Sequence, residues 1–391
     1  MSRPARTAPT GPRPDPATHV EEGLQGAKRT VAIVDLFAGI GGFHYGIAAA
    51  ARQRSMGVRP ILVSEIEPTC QETYRRNHQC EVHGDVNDPS MERDHRGTAD
   101  VLSAGFPCQP FSNSGRKLGL KDPRGRFYSR IVELIKHFET KSFILENVPG
   151  ILTNGGTRRY PSILRPTEGI RIGSTMHTLE RHLSELRDYA VTWLEIDSST
   201  LGSPQVRKRV YVVGVRREFV GADFRLTPTR QDPRPFISVV NEENVPALRL
   251  SAKQEANVRS FMHRGKGPSY KDGMRRVGKA YLCEGGNVGQ AYHAHGLTPA
   301  LTKIWARFLP IYFPADGERT PEVGRREFTP DHLYGKGELR RVSVGEAMLL
   351  QGFPPTFQPH ERDSVAYEHA GNAVNALVVR EIADQLLDLL T

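Results

Sequence analysis

The run Thr30-Val31-Ala32-Ile33-Val34-Asp35-Leu36-Phe37 constrains the fold more than any other stretch of this chain. It is almost continuously apolar, so it reads as a buried strand. Gly39, Gly41 and Gly42 follow at once, and a helix is predicted over Phe43–Arg54. The unit then recurs. Ile61–Ser64, Val82 with Gly84-Asp85, Val101–Ala104, Ser142–Leu145, Val191–Leu194 and Arg209–Val215 read as strands. Helices are predicted at Pro68–Asn77, Phe127–Phe138 and 175–188. Strands alternating with helices imply a mostly parallel sheet with helices on both faces, a doubly wound α/β fold. Residues 217–335 show no clear periodicity; helical signals return at Val344–Gln351 and Val374–Leu390.

Composition narrows the class of protein. At 391 residues the length fits two domains, and 38% hydrophobic with 25% charged residues is a globular balance. No window approaches ~18 consecutive apolar residues, which argues against a membrane span. The N-terminus lacks the apolar segment of a secretory signal, so a cytoplasmic chain is expected. Residues 1–28 carry Pro4, Pro9, Pro12, Pro14 and Pro16 among small and charged residues and are expected to form a disordered tail. Four cysteines make no disulfide framework. The net charge of +9 is compatible with a polyanionic partner.

The glycine turn after the first strand lets a backbone approach a ligand closely, and free N–H groups at the helix start favour an anionic group. His44 stands where a dinucleotide fingerprint needs its third glycine, and a Walker lysine is absent. Acids follow the next two strand signals, Glu65 and Asp85, with Glu67 an alternative to Glu65. In doubly wound sheets ligands lie outside the carboxyl ends of the strands. A carboxylate there can accept ribose hydroxyls, and another can take an adenine amine, so a nucleoside cofactor without a pyrophosphate is expected.

Two further strand ends carry reactive groups. Phe106-Pro107-Cys108-Gln109-Pro110-Phe111-Ser112 holds a thiol in a proline-bracketed loop, where partial exposure and a thiolate-favouring environment would make it a nucleophile. Glu146-Asn147-Val148-Pro149 places an acid after the fifth strand signal, facing the same cleft and able to serve as a proton donor. In Gln205-Val206-Arg207-Lys208-Arg209, arginines two apart in extended chain share one face and can grip a base oxygen or a phosphate.

In this order the motifs resemble the DNA (cytosine-5-)-methyltransferase family, bacterial type: DLFAGIGGF (35–43), Glu65, Asp85, FPCQPFS (106–112), DPRGRFY (122–128), ENV (146–148), QVRKR (205–209), RRVSVGEAMLLQGFP (340–354) and GNAV (371–374). The resemblance implies S-adenosyl-L-methionine as cofactor. Phe37, Ala38, Gly39, Gly41 and Gly42 would cradle its methionine end, Glu65 its ribose, and Asp85 and Pro107 its adenine, with Asn372 helping to close the pocket and Ile66, Val86 and Ala373 as further cofactor contacts. Cys108 would add to carbon 6 of a flipped-out cytosine, Glu146 would bond ring nitrogen 3 and the exocyclic amine, and Arg209 would hold the base carbonyl. Arg207 and Asn147 would support the loop, and no metal is needed.

The resemblance also implies a division of the chain: a catalytic domain over 29–216 completed by 369–391, and a smaller, irregular target recognition domain over 217–368. Residues 217–335 hold 18 Lys/Arg against 13 Asp/Glu. Gln109, Ser112, Arg264, Lys266, Arg275 and Arg276 are the expected DNA contacts. The partners implied are double-stranded DNA and a separately acting restriction endonuclease, with the chain a monomer. RNA is a rival substrate, but the RNA-modifying branch has a compact recognition region, whereas this one is long; a non-catalytic DNA-binding relative would not need Cys108, Glu146 and Arg209.

Two departures stand out. Pro299-Ala300-Leu301 replaces the usual Pro-Thr-Leu, leaving Thr298 or Thr302 as substitutes, and residues 153–172 look like an insertion. The spacing of Cys70, His78, Cys80 and His83 is not that of a zinc site.

Overall fold

The computed structural model describes residues 29–106, 127–155, 157–221, 224–240, 248–263, 269–271, 274–281, 288–303, 306–313, 315 and 337–390, with the side chains of Tyr128, Asn257 and 259–290 outside the description. The N-terminal tail expectation therefore lies outside the described residues.

A six-stranded sheet forms the centre of the first region. Its strands are β1 (Thr30–Leu36), β2 (Gly57–Ser64), β3 (Val101–Ala104), β4 (Ser142–Asn147), β5 (Tyr189–Asp197) and β6 (Lys208–Arg216), in the order β2-β1-β3-β4-β6-β5. β1 to β4 run parallel, and β6 runs antiparallel to both its neighbours. β1 is buried along nearly its whole length, as a central strand covered on both faces must be. The weak strand signal around Val82 amounts to a single bridge between Ser64 and His83; Gly84 and Asp85 already turn away.

Helices cover both faces. On one side, α3 (Phe127–His137) and α4 (Ser174–Leu183) bury Ile131, Leu134, Ile135, Met176, Leu179 and Leu183 against Leu102, Phe143 and Leu145. On the other, α1 (Gly42–Gln53) packs with α8 (Ala376–Leu390) over Ile33, Val101, Ile144 and Val213. A Cβ on Gly46 of α1 would come within 2.5 Å of Val379 Cβ of α8; glycine here permits the close crossing that docks the chain's C-terminal helix beside its first.

The segment without sequence periodicity contains a second sheet. Strands β7 (Ser269–Lys271), β8 (Met274–Tyr281), β9 (Val288–His293), β10 (Pro310–Phe313) and β11 (Glu338–Arg341) pair in that order. All pairings are antiparallel except β9 with β10. Tyr292 and Ile311 of this sheet bury against Phe236, Val342, Met348 and Leu350, and Ile40 of the glycine turn joins the same cluster. A short helix α6 (Val344–Leu350) and α7 (Asp363–Asn372) complete the layer; α2 (Pro68–His78), α5 (Ala252–His263) and a single-turn helix at Ser90–Asp94 are further helices of the described chain. At the start of α6, Ser343 and Glu346 form a reciprocal capping box, and the Glu346 carboxylate also takes both terminal nitrogens of buried Arg340 at 2.6 and 2.8 Å. A two-residue parallel pairing of Gln205-Val206 with Thr298-Pro299 ties the two regions together. Among the described residues, no helix is long and apolar enough to cross a membrane.

Candidate active site

The chain leaves β1 through a tight turn. Phe37 is left-handed at φ 53, as are Gly39 at φ 55 and Gly41 at φ 89. A non-glycine residue there costs roughly 1–3 kcal/mol and persists only where its surroundings hold it; the Phe37 ring packs edge-on against Phe127 at 5.1 Å. Nothing lies within 4 Å of the point a Cβ on Gly39 would occupy, so this turn faces open space. Gly41 is the reverse: a Cβ would sit 2.1 Å from His78 Nε2.

Glu65 emerges from the end of β2 beside this turn. Its carboxylate accepts the Gly39 N–H and the Glu67 N–H, each at 2.8 Å. Burial raises its pKa. This distinguishes the two glutamates left open by spacing: Glu65 is built into the turn, while Glu67 is exposed at the start of α2. Ile66 is 68% exposed, a large apolar side chain presented to solvent beside the acid. Asp85 is exposed, and Oδ1 accepts both the backbone and side-chain N–H groups of Asn87. Val86 differs from its neighbours: its side chain is in the core and its carbonyl accepts Arg130 Nε, so little of it faces the cleft. Asn372 is exposed at the end of α7, and Ala373 is buried just beyond it. A Cβ on Gly42 would lie 2.7 Å from the Val374 carbonyl oxygen, so this run abuts the glycine turn.

Across the sheet, Glu146 on β4 and Arg209 on β6 form an ion pair, Arg209 Nε to Glu146 Oε1 at 2.9 Å, with both side chains largely but incompletely buried. The point a Cβ on Gly105 would occupy is 3.9 Å from Glu146 Oε2, which sets the start of the Phe106–Ser112 loop against the carboxylate. Asn147 is buried, donates to the Phe106 carbonyl at 3.2 Å and accepts the Val148 N–H. Pro107, Cys108, Gln109 and Ser112 lie outside the described residues, as do Arg264 and Lys266; Arg275 and Arg276 fall on β8, without described side chains.

Arg207 lies at the seam between the two regions, and the cysteine loop it is expected to support is outside the described residues. Its buried guanidinium donates to the carbonyls of Leu301 (2.9 Å), Gly371 (3.3 and 3.4 Å) and Ala373 (2.7 Å). Arg207 falls between the short strand Gln205–Val206 and β6, which starts at Lys208, so the same-face rule for a continuous strand does not hold: Arg209 pairs with Glu146 while Arg207 enters the seam between the two regions. Thr298, offered as a substitute for the missing threonine at 300, is buried and donates to the Pro204 carbonyl at 3.2 Å, so it does not reach the cleft; Thr302 is exposed.

One feature of the site was not anticipated. Asp35, buried at the end of β1, accepts Ser103 Oγ at 2.8 Å and the Tyr74 hydroxyl at 3.2 Å. Burial pushes its pKa up to about 7. Tyr74 also meets His44 Nδ1 at 2.9 Å, and the His44 ring stacks on His78 at 3.9 Å. Burial lowers His44 to about 4 and puts His78 well below its usual value. This polar column lies directly beneath the glycine turn. Its one sequence signal was an aspartate inside an otherwise apolar strand. His78 is thus a packing partner of Gly41. Burial raises the Cys70 thiol strongly and brings Cys80 up to about 11, which disfavours the thiolate a metal would need. Among the described residues no group of His, Cys, Asp or Glu is arranged to hold a metal.

A doubly wound sheet with a glycine turn after β1, an acid after β2 and an acid–guanidinium pair across β4 and β6 defines a Rossmann-like methyltransferase. Residues 31–388 match the family model of C-5 cytosine-specific DNA methylases, and the chain belongs to that family. It is accordingly a DNA (cytosine-5-)-methyltransferase. It is 28% identical over 370 residues to the Type II methyltransferase M1.ScrFI of Lactococcus lactis subsp. cremoris, covering 92% of this chain and 78% of that one. It is 27% identical over 436 residues to the Type II methyltransferase M.BanI of Aneurinibacillus aneurinilyticus, covering 91% and 95%. Among solved structures, the Entamoeba histolytica methyltransferase EhMeth superposes with a TM-score of 0.63 at 15% identity, over 93% of this chain and all of that one.

Proposed function

We propose that this chain transfers a methyl group from S-adenosyl-L-methionine to carbon 5 of a flipped-out cytosine within a specific duplex DNA sequence, as the modification enzyme of a Type II restriction-modification system. The Glu146–Arg209 pair beside Gly105 carries this reading. One carboxylate and one guanidinium, fixed as an ion pair beside Gly105, match the amine-and-nitrogen edge and the carbonyl of a cytosine.

The cofactor fits the residues present. Gly39 leaves open space above the turn, Glu65 is already oriented by two backbone N–H groups, and exposed Ile66 offers an apolar face to an adenine. When bound, S-adenosyl-L-methionine supplies an electrophilic methyl group on a sulfonium. The protein makes carbon 5 nucleophilic. The Cys108 thiolate adds to carbon 6, and the ring electrons move toward carbon 5. Glu146 bonds ring nitrogen 3 and the exocyclic amine and offsets charge building in the ring. Arg209 turns from Glu146 alone to share the base carbonyl. After methylation, loss of the carbon 5 proton to a base such as water expels Cys108 and restores the aromatic ring. The base must leave the duplex for these groups to reach it. Residues 29–216 with 369–391 act as the catalytic domain, and 217–368 as the recognition domain.

Tritiated-methyl incorporation into duplex DNA, followed by bisulfite sequencing, tests the reading and gives the target. Cys108→Ser is expected to abolish incorporation while S-adenosyl-L-methionine binding persists; full incorporation by that variant overturns the mechanism. Methyl transfer to tRNA but not to duplex DNA overturns the substrate.

A further inference from the structure

The 153–172 segment is a built feature at the carboxyl edge of the sheet. It leaves β4 through one turn of 3₁₀ helix, Pro149–Leu152, immediately after the Glu146-Asn147-Val148 run. Its neck is closed: Gly173 N–H donates to Leu152 O at 2.7 Å, and Ser174 Oγ donates to Gly155 O at 2.9 Å. Its outer part is a two-residue antiparallel pairing of Tyr160-Pro161 with Arg171-Ile172. That hairpin is anchored through one buried carboxylate. Glu180 of α4, fully buried, accepts Ser162 Oγ at 2.6 Å, the Ile163 N–H at 2.5 Å and Trp193 Nε1 at 2.8 Å. A loop held this way presents its outer side chains on a fixed frame.

Those outer side chains are basic. The segment holds Arg158, Arg159, Arg165 and Arg171 against Glu168 alone. Arg165 is accounted for, paired with Glu168 and lying over the Trp193 ring at 4.6 Å. Arg158 and Arg171 are exposed, and neither has a carboxylate within ion-pair distance among the described residues. They converge on one end of the hairpin. Arg158 lies over the Tyr160 ring at 5.0 Å, Tyr160 stacks on His177 at 4.6 Å, and Arg171 Nη2 donates to the Arg159 carbonyl at 2.8 Å. Guanidiniums braced by an aromatic stack and a carbonyl lose little freedom on meeting a phosphate.

We propose that Arg158 and Arg171 form a phosphate-contact surface, outside the recognition domain, for the duplex DNA backbone that flanks the target base. The inference rests on the DNA substrate proposed above. It gives the segment a role in affinity and not in sequence choice, because phosphate contacts position a protein on a duplex without reading bases.

Each phosphate contact contributes a slope of about 0.9 to the dependence of log affinity on log salt. Duplex binding by the full-length protein, titrated across salt concentrations with S-adenosylhomocysteine present, reads the effect. Arg158→Ala/Arg171→Ala should bind duplex about 10-fold more weakly near 0.1 M salt, with the slope shallower by about 2. Arg158→Lys/Arg171→Lys should keep the slope, and Arg158→Glu alone should weaken binding more than Arg158→Ala alone. An alanine pair that melts like wild type and keeps both wild-type affinity and slope overturns the proposal. So does a lysine pair that loses the slope as the alanine pair does. A wild type that methylates duplex DNA while the alanine pair binds it normally removes only this surface; a wild type that neither binds nor methylates duplex removes the underlying reading with it.

Discussion

Two glutamates at different places along the six-stranded sheet, Glu65 and Glu146, are held by different means. At the β1–β2 end, Glu65 is fixed by main-chain N–H groups of Gly39 and Glu67. At the β4–β6 end, Glu146 is fixed by the Arg209 side chain. A backbone cradle sets shape and tolerates many neighbouring side chains. A side-chain pair is tuned in charge, and both members must be present. The first suits binding of a constant cofactor; the second suits a reacting ring whose charge changes during the reaction.

This contrast can be broken by substitution, from the largest effect down. Glu146→Gln keeps the shape but removes the charge, and should lower kcat by about 10²–10⁴-fold, with S-adenosyl-L-methionine affinity within twofold of wild type by calorimetry. An equal loss in cofactor affinity would mean that the two ends are not separable. Glu65→Ala should do the opposite. Losing a hydrogen-bonding carboxylate costs about 1.5–3 kcal/mol, so cofactor affinity should fall about 10–100-fold, while kcat at saturating cofactor falls far less. Gly41→Ala places a methyl group on His78 at φ 89; a loss of about 1–3 kcal/mol in thermal or denaturant unfolding is expected.

The smallest effect concerns pH and the polar column beneath the cofactor end. His44 and His369 are both lowered to about 4 by burial. Their stabilising contribution is complete above 6.5 and is lost as pH falls toward 4, because the unfolded chain takes protons that the native state refuses. Asp35, raised to about 7, acts in reverse: the native state keeps its proton where the unfolded chain has lost it, so acidification from 7 to 4 returns stability at that site. Two histidines outweigh one aspartate, and the melting temperature should fall between pH 6.5 and 4.5. Asp35→Asn removes the opposing contribution and should steepen that fall; an unchanged or shallower profile would show that the column is not what couples the turn to pH.

Much of the first region was legible because its strands are buried on both faces, which forces near-continuous apolar runs such as 30–37. Glu65, Glu146 and the glycine turn were legible because each follows such a run directly, and Arg209 because it opens one. The second region was not. Its sheet is mostly antiparallel with short strands, so neither a long apolar run nor a clean helical period marks it. The carbonyl partners of Arg207 were not legible because two arginines in one extended segment look equivalent until Leu301, Gly371 and Ala373 arrive from elsewhere in the chain. The stacking of His44, Tyr74 and His78 was not legible because helical histidines and tyrosines carry no sign of what they will stack on.

Local chemistry along the chain was enough to mark most strands and helices in chain order, the glycine turn and the acids Glu65 and Glu146 at the ends of β2 and β4, since each depends on neighbours a few residues apart. Tertiary structure alone decided which arginine faces Glu146 and which clasps the seam, that burial raises the pKa of Asp35 beneath the glycine turn, and that the 153–172 segment is braced on Glu180. Those outcomes depend on burial and on partners up to 166 residues distant, as between Arg207 and Ala373, and a desolvated group is governed by whatever the fold brings within hydrogen-bond reach.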